Sequence, residues 1–137
     1  DIRLGRTFDL ILCADVIEHL VDPDPMLDMI RAHARPESAP QPTMVLFSTP
    51  ERRRLRGRGC NASNKPEHVR EWGMDEFRRF LASRGFAGLR SRLFPQDDAD
   101  PRACREEEIQ FRLGKGDRSR LACHAVLCRV ATSSGTR

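Results

Sequence analysis

The chain has 137 residues, of which 39% are hydrophobic and 32% are charged. These values predict one folded domain and exclude a chain that is disordered throughout. The net charge of +4 permits an anionic partner but does not require one. The sequence shows no signal peptide and no apolar stretch long enough to span a bilayer.

The five cysteines indicate a reducing compartment rather than a disulfide framework. Their number is odd and no two form a CxxC pair, so neither a disulfide scaffold nor a zinc site is predicted. Cys13, Cys123 and Cys128 lie in apolar runs, where cysteine usually behaves as a small buried hydrophobe. We therefore expect a cytoplasmic protein.

The first third of the chain predicts two buried strands with a helix between them. Residues 8–14 are almost wholly apolar, as expected of a strand that is covered on both faces in a parallel sheet. A helix with one apolar stripe is predicted from Asp24 to just before Pro36. A second buried strand is predicted over residues 43–48, and Pro50 is expected to stop it.

The middle of the chain predicts a loop, a helix and a strand. Residues 51–71 have no apolar periodicity, which predicts a long polar loop. A helix is predicted from Met74 to Arg84, and Gly85 is expected to close it. A third strand is predicted over residues 88–94.

The end of the chain predicts an irregular insertion at residues 95–107 and then an antiparallel hairpin. Its two strands would cover residues 108–113 and 121–130, joined by the turn at 114–117. Residues 132–137 are expected to form a disordered tail. This order of elements predicts an α/β sheet with right-handed crossovers and an antiparallel strand at its edge.

Three segments resemble class I S-adenosylmethionine-dependent methyltransferases. Residues 8–20 (FDLILCADVIEHL) resemble the fourth strand of that family and the turn after it, and residues 44–50 (MVLFSTP) resemble the fifth strand. Glu51 stands where the family commonly has asparagine. Residues 64–72 (NKPEHVREW) resemble the signature of a branch that often accompanies glycan and glycolipid biosynthesis. The resemblance implies a Rossmann-like methyltransferase sheet.

The sequence departs from this family in what precedes the fourth strand. The glycine-rich turn that admits the cofactor and the acidic residue that holds its ribose are not found here. A glycine-rich turn of this kind follows a buried strand and opens a helix, and neither glycine pair, at 57–59 or at 114–116, has that position. We therefore expect residues 1–131 to be the C-terminal part of a methyltransferase domain, with an incomplete sheet. A chain of this extent is expected to bind the cofactor weakly, and the missing half of a longer protein would precede Asp1.

Ligands of an open α/β sheet bind beyond the carboxyl ends of its strands. This rule and the resemblance together imply that Ala14, Asp15 and Val16 contact S-adenosylmethionine. Ser48 and Thr49 are expected to lie on the acceptor side of the same site.

Two histidines are candidates for removing the acceptor's proton, because imidazole titrates near neutrality. His19 follows the first strand and His68 lies in the long loop beside Glu67 and Glu71. The alternatives are a packed histidine at a helix start and a surface histidine. Trp72 is expected either to wall the acceptor pocket or to fix the loop to the next helix.

The spacing Asp15-x-x-Glu18-His19 puts two carboxylates three residues apart beside an imidazole. Together with His68, it resembles the ligand set of metal-dependent O-methyltransferases of ubiquinone synthesis and small-RNA 2′-O-methylation. That resemblance implies a magnesium or manganese ion. Many relatives with the same turn need no metal, and aspartate at the first position has a shorter reach than glutamate.

Five arginines fall within seven positions of the long loop, and they are expected either to bind phosphate or to form a solvated surface. They are Arg52, Arg53, Arg54, Arg56 and Arg58.

Three functions remain open on this reading. The first is methyl transfer to a hydroxyl of a sugar, glycan or other small metabolite, and the second is 2′-O-methylation of RNA. The third is a non-catalytic remnant that acts as an interaction module. An incomplete sheet would also expose apolar edges, through which copies of the chain are expected to associate.

Overall fold

The computed structural model describes residues 3–57, 59–94 and 123–132. The strands are β1 (Leu10–Ala14), β2 (Met44–Pro50), β3 (Phe86–Phe94) and β4 (Cys123–Val130). The helices are α1 (Asp24–Ala32), α2 (Arg52–Arg56) and α3 (Met74–Ser83), and a 3-10 turn covers Ile17–His19. The predictions for residues 95–107, 108–113 and 114–117, and for nearly all of the tail at 132–137, lie outside the described residues. None of the described helices has the length and apolar character needed to cross a membrane.

The four strands form one sheet in the order β1-β2-β4-β3. β1 and β2 are parallel, whereas β4 is antiparallel to both of its neighbours, β2 and β3. The predicted position of the antiparallel strand at the sheet edge is therefore wrong. β4 pairs on both sides along its whole length, so residues 123–130 have no free edge for the predicted hairpin. Its side chains are buried or half-buried on both faces, which suits an interior strand.

One face of the sheet carries the hydrophobic core. Alternate residues of each strand point to the same face, so Cys13, Phe47 and Val126, which are aligned across three strands, lie side by side. Phe47 also makes edge-to-face contacts with Phe77 of α3 and Phe86 of β3. The core is completed from α1 and α3 by Leu27, Ile30 and Leu81.

The opposite face of the sheet is open along β1. Leu10 is 53% exposed and Leu12 is 63% exposed, so the prediction that this strand is covered on both faces is wrong. Their neighbours on β2 are Met44 and Leu46, which are half-buried. Within the described part of the chain, no strand pairs with the outer edge of β1. An exposed apolar edge is therefore present, and self-association through it stays a prediction.

The predicted long loop contains the short helix α2. Its N-terminus is capped by Glu51, whose Oε2 accepts a hydrogen bond from the backbone N–H of Arg54 at 2.7 Å. The other carboxylate oxygen of Glu51 accepts from the N–H of Met74 at 2.8 Å, which is the first residue of α3. One buried side chain thus fixes the start of both helices. The predicted end of α3 is confirmed, since Gly85 follows it with φ of 79°.

Candidate functional site

The chain bends sharply where β1 ends. Asp15 adopts φ of 51°, a left-handed conformation that is uncommon for residues other than glycine. The bend is held by Ser48, which accepts from the N–H of Asp15 at 3.2 Å and donates its hydroxyl to the carboxylate at 3.0 Å. The helical turn begins only at Ile17. Asp15 and Glu18 therefore do not share a continuous helical turn, contrary to the prediction.

Glu18 lies under this bend with 1% of its surface exposed. The hydroxyl of Thr49 donates to its Oε2 at 3.3 Å. Burial raises the pKa of Glu18 above its ordinary value, and the nearby charge of Asp15 adds to this rise. Ser48 and Thr49, predicted as acceptor contacts, each donate a hydrogen bond to one carboxylate of the turn after β1, and their contact with an acceptor stays a prediction.

The His19 and His68 rings meet edge to face, with their centroids 4.8 Å apart. Nδ1 of His19 lies 2.9 Å from the carbonyl oxygen of Glu67. Because a carbonyl only accepts hydrogen bonds, this nitrogen must be the donor. The backbone N–H of Arg70 also donates to the carbonyl of Glu18 at 3.2 Å. These two contacts fasten the loop before α3 to the turn after β1.

His68 is held from its other side by Glu71. Nδ1 of His68 lies 2.8 Å from Oε1 of Glu71, whose carboxylate is fully buried. The same carboxylate accepts from the guanidinium of Arg56 at 3.0 Å and from the hydroxyl of Ser63 at 2.8 Å. Burial alone would raise the pKa of Glu71, but the donors, led by Arg56, outweigh it and leave the pKa below its ordinary value.

These contacts bring Glu18, His19 and His68 into one group. Each side chain offers one ligand atom, and the three atoms lie within 4.8 Å of one another. A carboxylate with two imidazoles suits a divalent cation such as magnesium or manganese, so the residues present fit a metal ion. Asp15, the fourth predicted ligand, lies outside this group, and its carboxylate accepts a hydrogen bond from Ser48.

The residues predicted to contact the cofactor lie at the open side of the same turn. Ala14, Asp15 and Val16 are all exposed, at the carboxyl end of β1. Trp72, by contrast, is buried against Phe77 and Phe80 of α3. The structure therefore favours its role in fixing the loop to the helix.

Trp72 also lines a cavity of about 350 Å³. The cavity wall includes Leu20 and Val69, which are the chain neighbours of His19 and His68. Its remaining lining comes from the turn before α1, the start of α1, the loop before α3 and the end of α3, and includes Asp22, Asp24, Arg70 and Arg84. The lining of this cavity is thus partly apolar and partly charged.

Two of the loop arginines are engaged inside the protein. Arg52 pairs with Glu76 at 2.9 Å and donates to the carbonyl of Glu71 at 2.9 Å. Arg56 pairs with the buried carboxylate of Glu71. These contacts favour a structural role over phosphate binding for both residues, while Arg58 lies outside the described residues. These partners and the contact of Glu51 with Met74 could not be predicted from the sequence, because contacts across 15 to 24 residues leave no local pattern.

No protein-family model matches the chain, and no curated protein matches it in sequence. Its structure is similar to the crystal structure of a SAM dependent methyltransferase from Archaeoglobus fulgidus, with a TM-score of 0.52 and 11% sequence identity. The similarity covers 90% of this chain and 59% of that chain. Identity this low shows the fold alone. The chain therefore has a mixed α/β fold that is shared with a methyltransferase, and it spans 59% of the length of that protein.

Proposed function

We propose that the chain contributes to S-adenosylmethionine-dependent methyl transfer to a hydroxyl group of a sugar or another small metabolite. The observation that carries this proposal is the assembly of Glu18, His19 and His68 at the carboxyl ends of two parallel strands. The fold of the chain is shared with a SAM dependent methyltransferase, which also supports the proposal. We further infer that the sheet is Rossmann-like and that residues 1–131 form the C-terminal part of such a domain.

The cofactor side of the proposed site is the turn after β1. Ala14, Asp15 and Val16 are exposed where ligands of open α/β sheets bind. S-adenosylmethionine, when bound, supplies an electrophilic methyl group. The role of this chain is to orient the cofactor against the acceptor, and the hydrogen bonds between Ser48 and Asp15 keep the turn in one conformation.

The acceptor side is formed by the two histidines and the adjacent cavity. Both Nδ1 atoms are engaged by acceptors, so in the neutral rings both Nε2 atoms carry a free lone pair. An Nε2 atom of this kind takes the proton from an acceptor hydroxyl as the methyl group is transferred. The cavity of about 350 Å³ between Leu20, Val69 and Trp72 is large enough for a small polar acceptor.

The second candidate is a metal-dependent O-methyltransferase, including one that acts on the 2′-hydroxyl of RNA. It is favoured by the ligand geometry of Glu18, His19 and His68. A bound magnesium or manganese ion would supply Lewis-acid activation of the acceptor hydroxyl. Arg52 and Arg56 each pair with a carboxylate inside the protein, so they are less available to bind RNA phosphates. The RNA substrate therefore has less support than the metal ion. Tight binding to RNA that weakens steeply with added salt would favour the RNA substrate.

Calorimetric titration of the full-length protein with S-adenosylhomocysteine tests the leading proposal. We expect one-site binding, which Val16→Asp weakens by about tenfold or more because it places a carboxylate against the cofactor. Leu89→Asp is the matched control, because Leu89 is 41% exposed on β3 and Val16 is 42% exposed. A folded protein that gives no heat would support the third function, a non-catalytic interaction module.

Electron paramagnetic resonance with manganese alone tests the metal. Binding that is present in the wild-type protein and lost in Glu18→Gln and His19→Gln would support the metal-dependent mechanism. Free manganese in all three proteins would contradict it and leave the histidines as bases.

A further inference from the structure

Glu71 differs from the other carboxylates of the long loop because its side chain is fully buried and makes contacts with three partners. Its Oε1 accepts hydrogen bonds from Arg56 Nη2 at 3.0 Å, Ser63 Oγ at 2.8 Å and His68 Nδ1 at 2.8 Å. Its Oε2 accepts a hydrogen bond from Arg56 Nε at 3.3 Å. These partners come from α2, from the loop and from the residue three positions before Glu71. One carboxylate therefore joins three parts of the segment between β2 and α3.

The charge state of this carboxylate fixes the direction of each hydrogen bond. A buried carboxylate that is paired with a guanidinium at 3.0 Å is ionised, since the cation would otherwise be left buried without its partner. An ionised carboxylate accepts hydrogen bonds and cannot donate them. Nδ1 of His68 must therefore carry a proton and donate the hydrogen bond that Glu71 accepts.

This assignment determines which nitrogen His68 presents to the candidate site. A neutral imidazole carries one proton, so a proton on Nδ1 leaves Nε2 with a free lone pair. The side chain of His68 is only 6% exposed, and its ring lies against His19. With Nδ1 engaged by Glu71, the free nitrogen is the one available to the group with Glu18 and His19.

We propose that Glu71 is a positioning residue, which holds His68 as the Nδ1–H tautomer with its Nε2 lone pair available to Glu18 and His19. Arg56 and Ser63 serve this arrangement by keeping the carboxylate ionised and oriented. The proposal rests on the proposed site, but it does not depend on the reaction that the site performs. It applies equally to a base and to a metal ligand, because both roles need an unprotonated Nε2.

The test is long-range ¹⁵N–¹H NMR of the full-length protein labelled on histidine, at a pH where His68 is neutral. This experiment separates the two tautomers by the chemical shifts of their nitrogens, and the His68→Gln variant assigns the signals. We expect the wild-type protein to show the Nδ1–H tautomer for His68. A predominant Nε2–H tautomer in the wild-type protein would overturn the proposal without any variant having to fold.

The Glu71→Gln variant tests the cause of this preference. The amide can either donate to Nδ1 or accept from it, so we expect a mixture of tautomers or a reversal to Nε2–H. Glu67→Gln is the matched control, because Glu67 is an exposed carboxylate next to His68 whose contact with His19 is made by its backbone. An unchanged Nδ1–H signal in a folded Glu71→Gln protein would overturn the role of Glu71.

The result is independent of cofactor binding. If the wild-type tautomer is as expected but S-adenosylhomocysteine does not bind, the proposed function fails while the positioning role of Glu71 stands. If the cofactor binds and His68 carries its proton on Nε2, the positioning role fails alone.

Discussion

The two sides of the candidate site differ in how deeply their side chains are buried. On the acid and imidazole side, His19 is exposed, whereas the side chains of Glu18 and His68 are nearly inaccessible and each is hydrogen-bonded to a buried residue. On the cofactor side, Ala14 and Val16 are exposed. The chain therefore buries two of the three groups proposed to handle the acceptor's proton or a metal, whereas the residues proposed to contact the cofactor are accessible.

The same asymmetry extends through the sheet. The face that α1 and α3 cover contains the core, whereas the other face exposes Leu10 and Leu12 along β1. The side chains that hydrogen-bond to Glu18 and His68 are those of Thr49 and Glu71, and both are buried.

Removing a side chain from the covered face should have the largest effect. We expect Leu27→Ala to lower the free energy of unfolding by about 2–5 kcal/mol, because Leu27 is fully buried and the truncation leaves a cavity. Leu12→Ala is the matched control and should cost less than about 1 kcal/mol. Urea unfolding of the full-length protein measures both. Equal losses would show that Leu12 is covered and would contradict the difference between the two faces of the sheet.

A buried histidine on the covered face should make stability depend on pH. His124 lies against Phe77, and burial lowers its pKa from 6.5 to about 4, with the positive charge of Arg78 adding to the shift. Within the described residues, neither ring nitrogen has a hydrogen-bond partner. The unfolded state therefore takes up a proton first as the pH falls, so stability decreases between about pH 6.5 and pH 4.

This decrease should amount to about 3 kcal/mol, from the size of the shift. The His124→Phe variant keeps an aromatic ring and has no proton to bind, so its stability should fall less over the same range. Unfolding free energies at pH 7 and pH 4.5 measure the difference between the two proteins. Parallel losses in both would contradict the assignment of the pH dependence to His124.

Releasing the loop should have a smaller effect. Glu51→Ala removes the carboxylate that caps α2 and α3, and each lost cap is worth about 1 kcal/mol, so we expect a loss of about 2 kcal/mol. Glu67→Ala removes an exposed carboxylate from the same loop and should change stability by less than about 0.5 kcal/mol. Thermal unfolding compares the two variants, and similar melting temperatures would show that the cap contributes little.

Local patterns predicted the regular elements better than their arrangement. Residues 8–14, 43–48 and 88–94 were predicted as strands because their composition carries a local signal. The place of β4 depends on pairings with β2 and β3, which are distant in sequence. Closeness along the chain favoured a hairpin between residues 108–113 and 121–130. The local pattern could not reveal that β2 and β3 pair with the two edges of β4.

The candidate site could be predicted as a set of residues but only partly as a geometry. Glu18, His19 and His68 were identified from motifs, and the structure brings them together. Asp15 was placed with them on the assumption of a continuous helical turn, which its left-handed conformation interrupts. The hydrogen bond from Thr49 to Glu18 joins residues 31 positions apart, so spacing could not reveal it.

The most direct test of the central proposal is ultraviolet cross-linking of radiolabelled S-adenosylmethionine to the full-length protein, followed by trypsin digestion and peptide mapping. The exposed turn after β1 lies in a single tryptic peptide, residues 7–31, since no lysine or arginine interrupts it before Arg31. We predict label in this peptide that excess S-adenosylhomocysteine removes. Label that persists under competition, or that is confined to other peptides, would contradict a cofactor site at this turn.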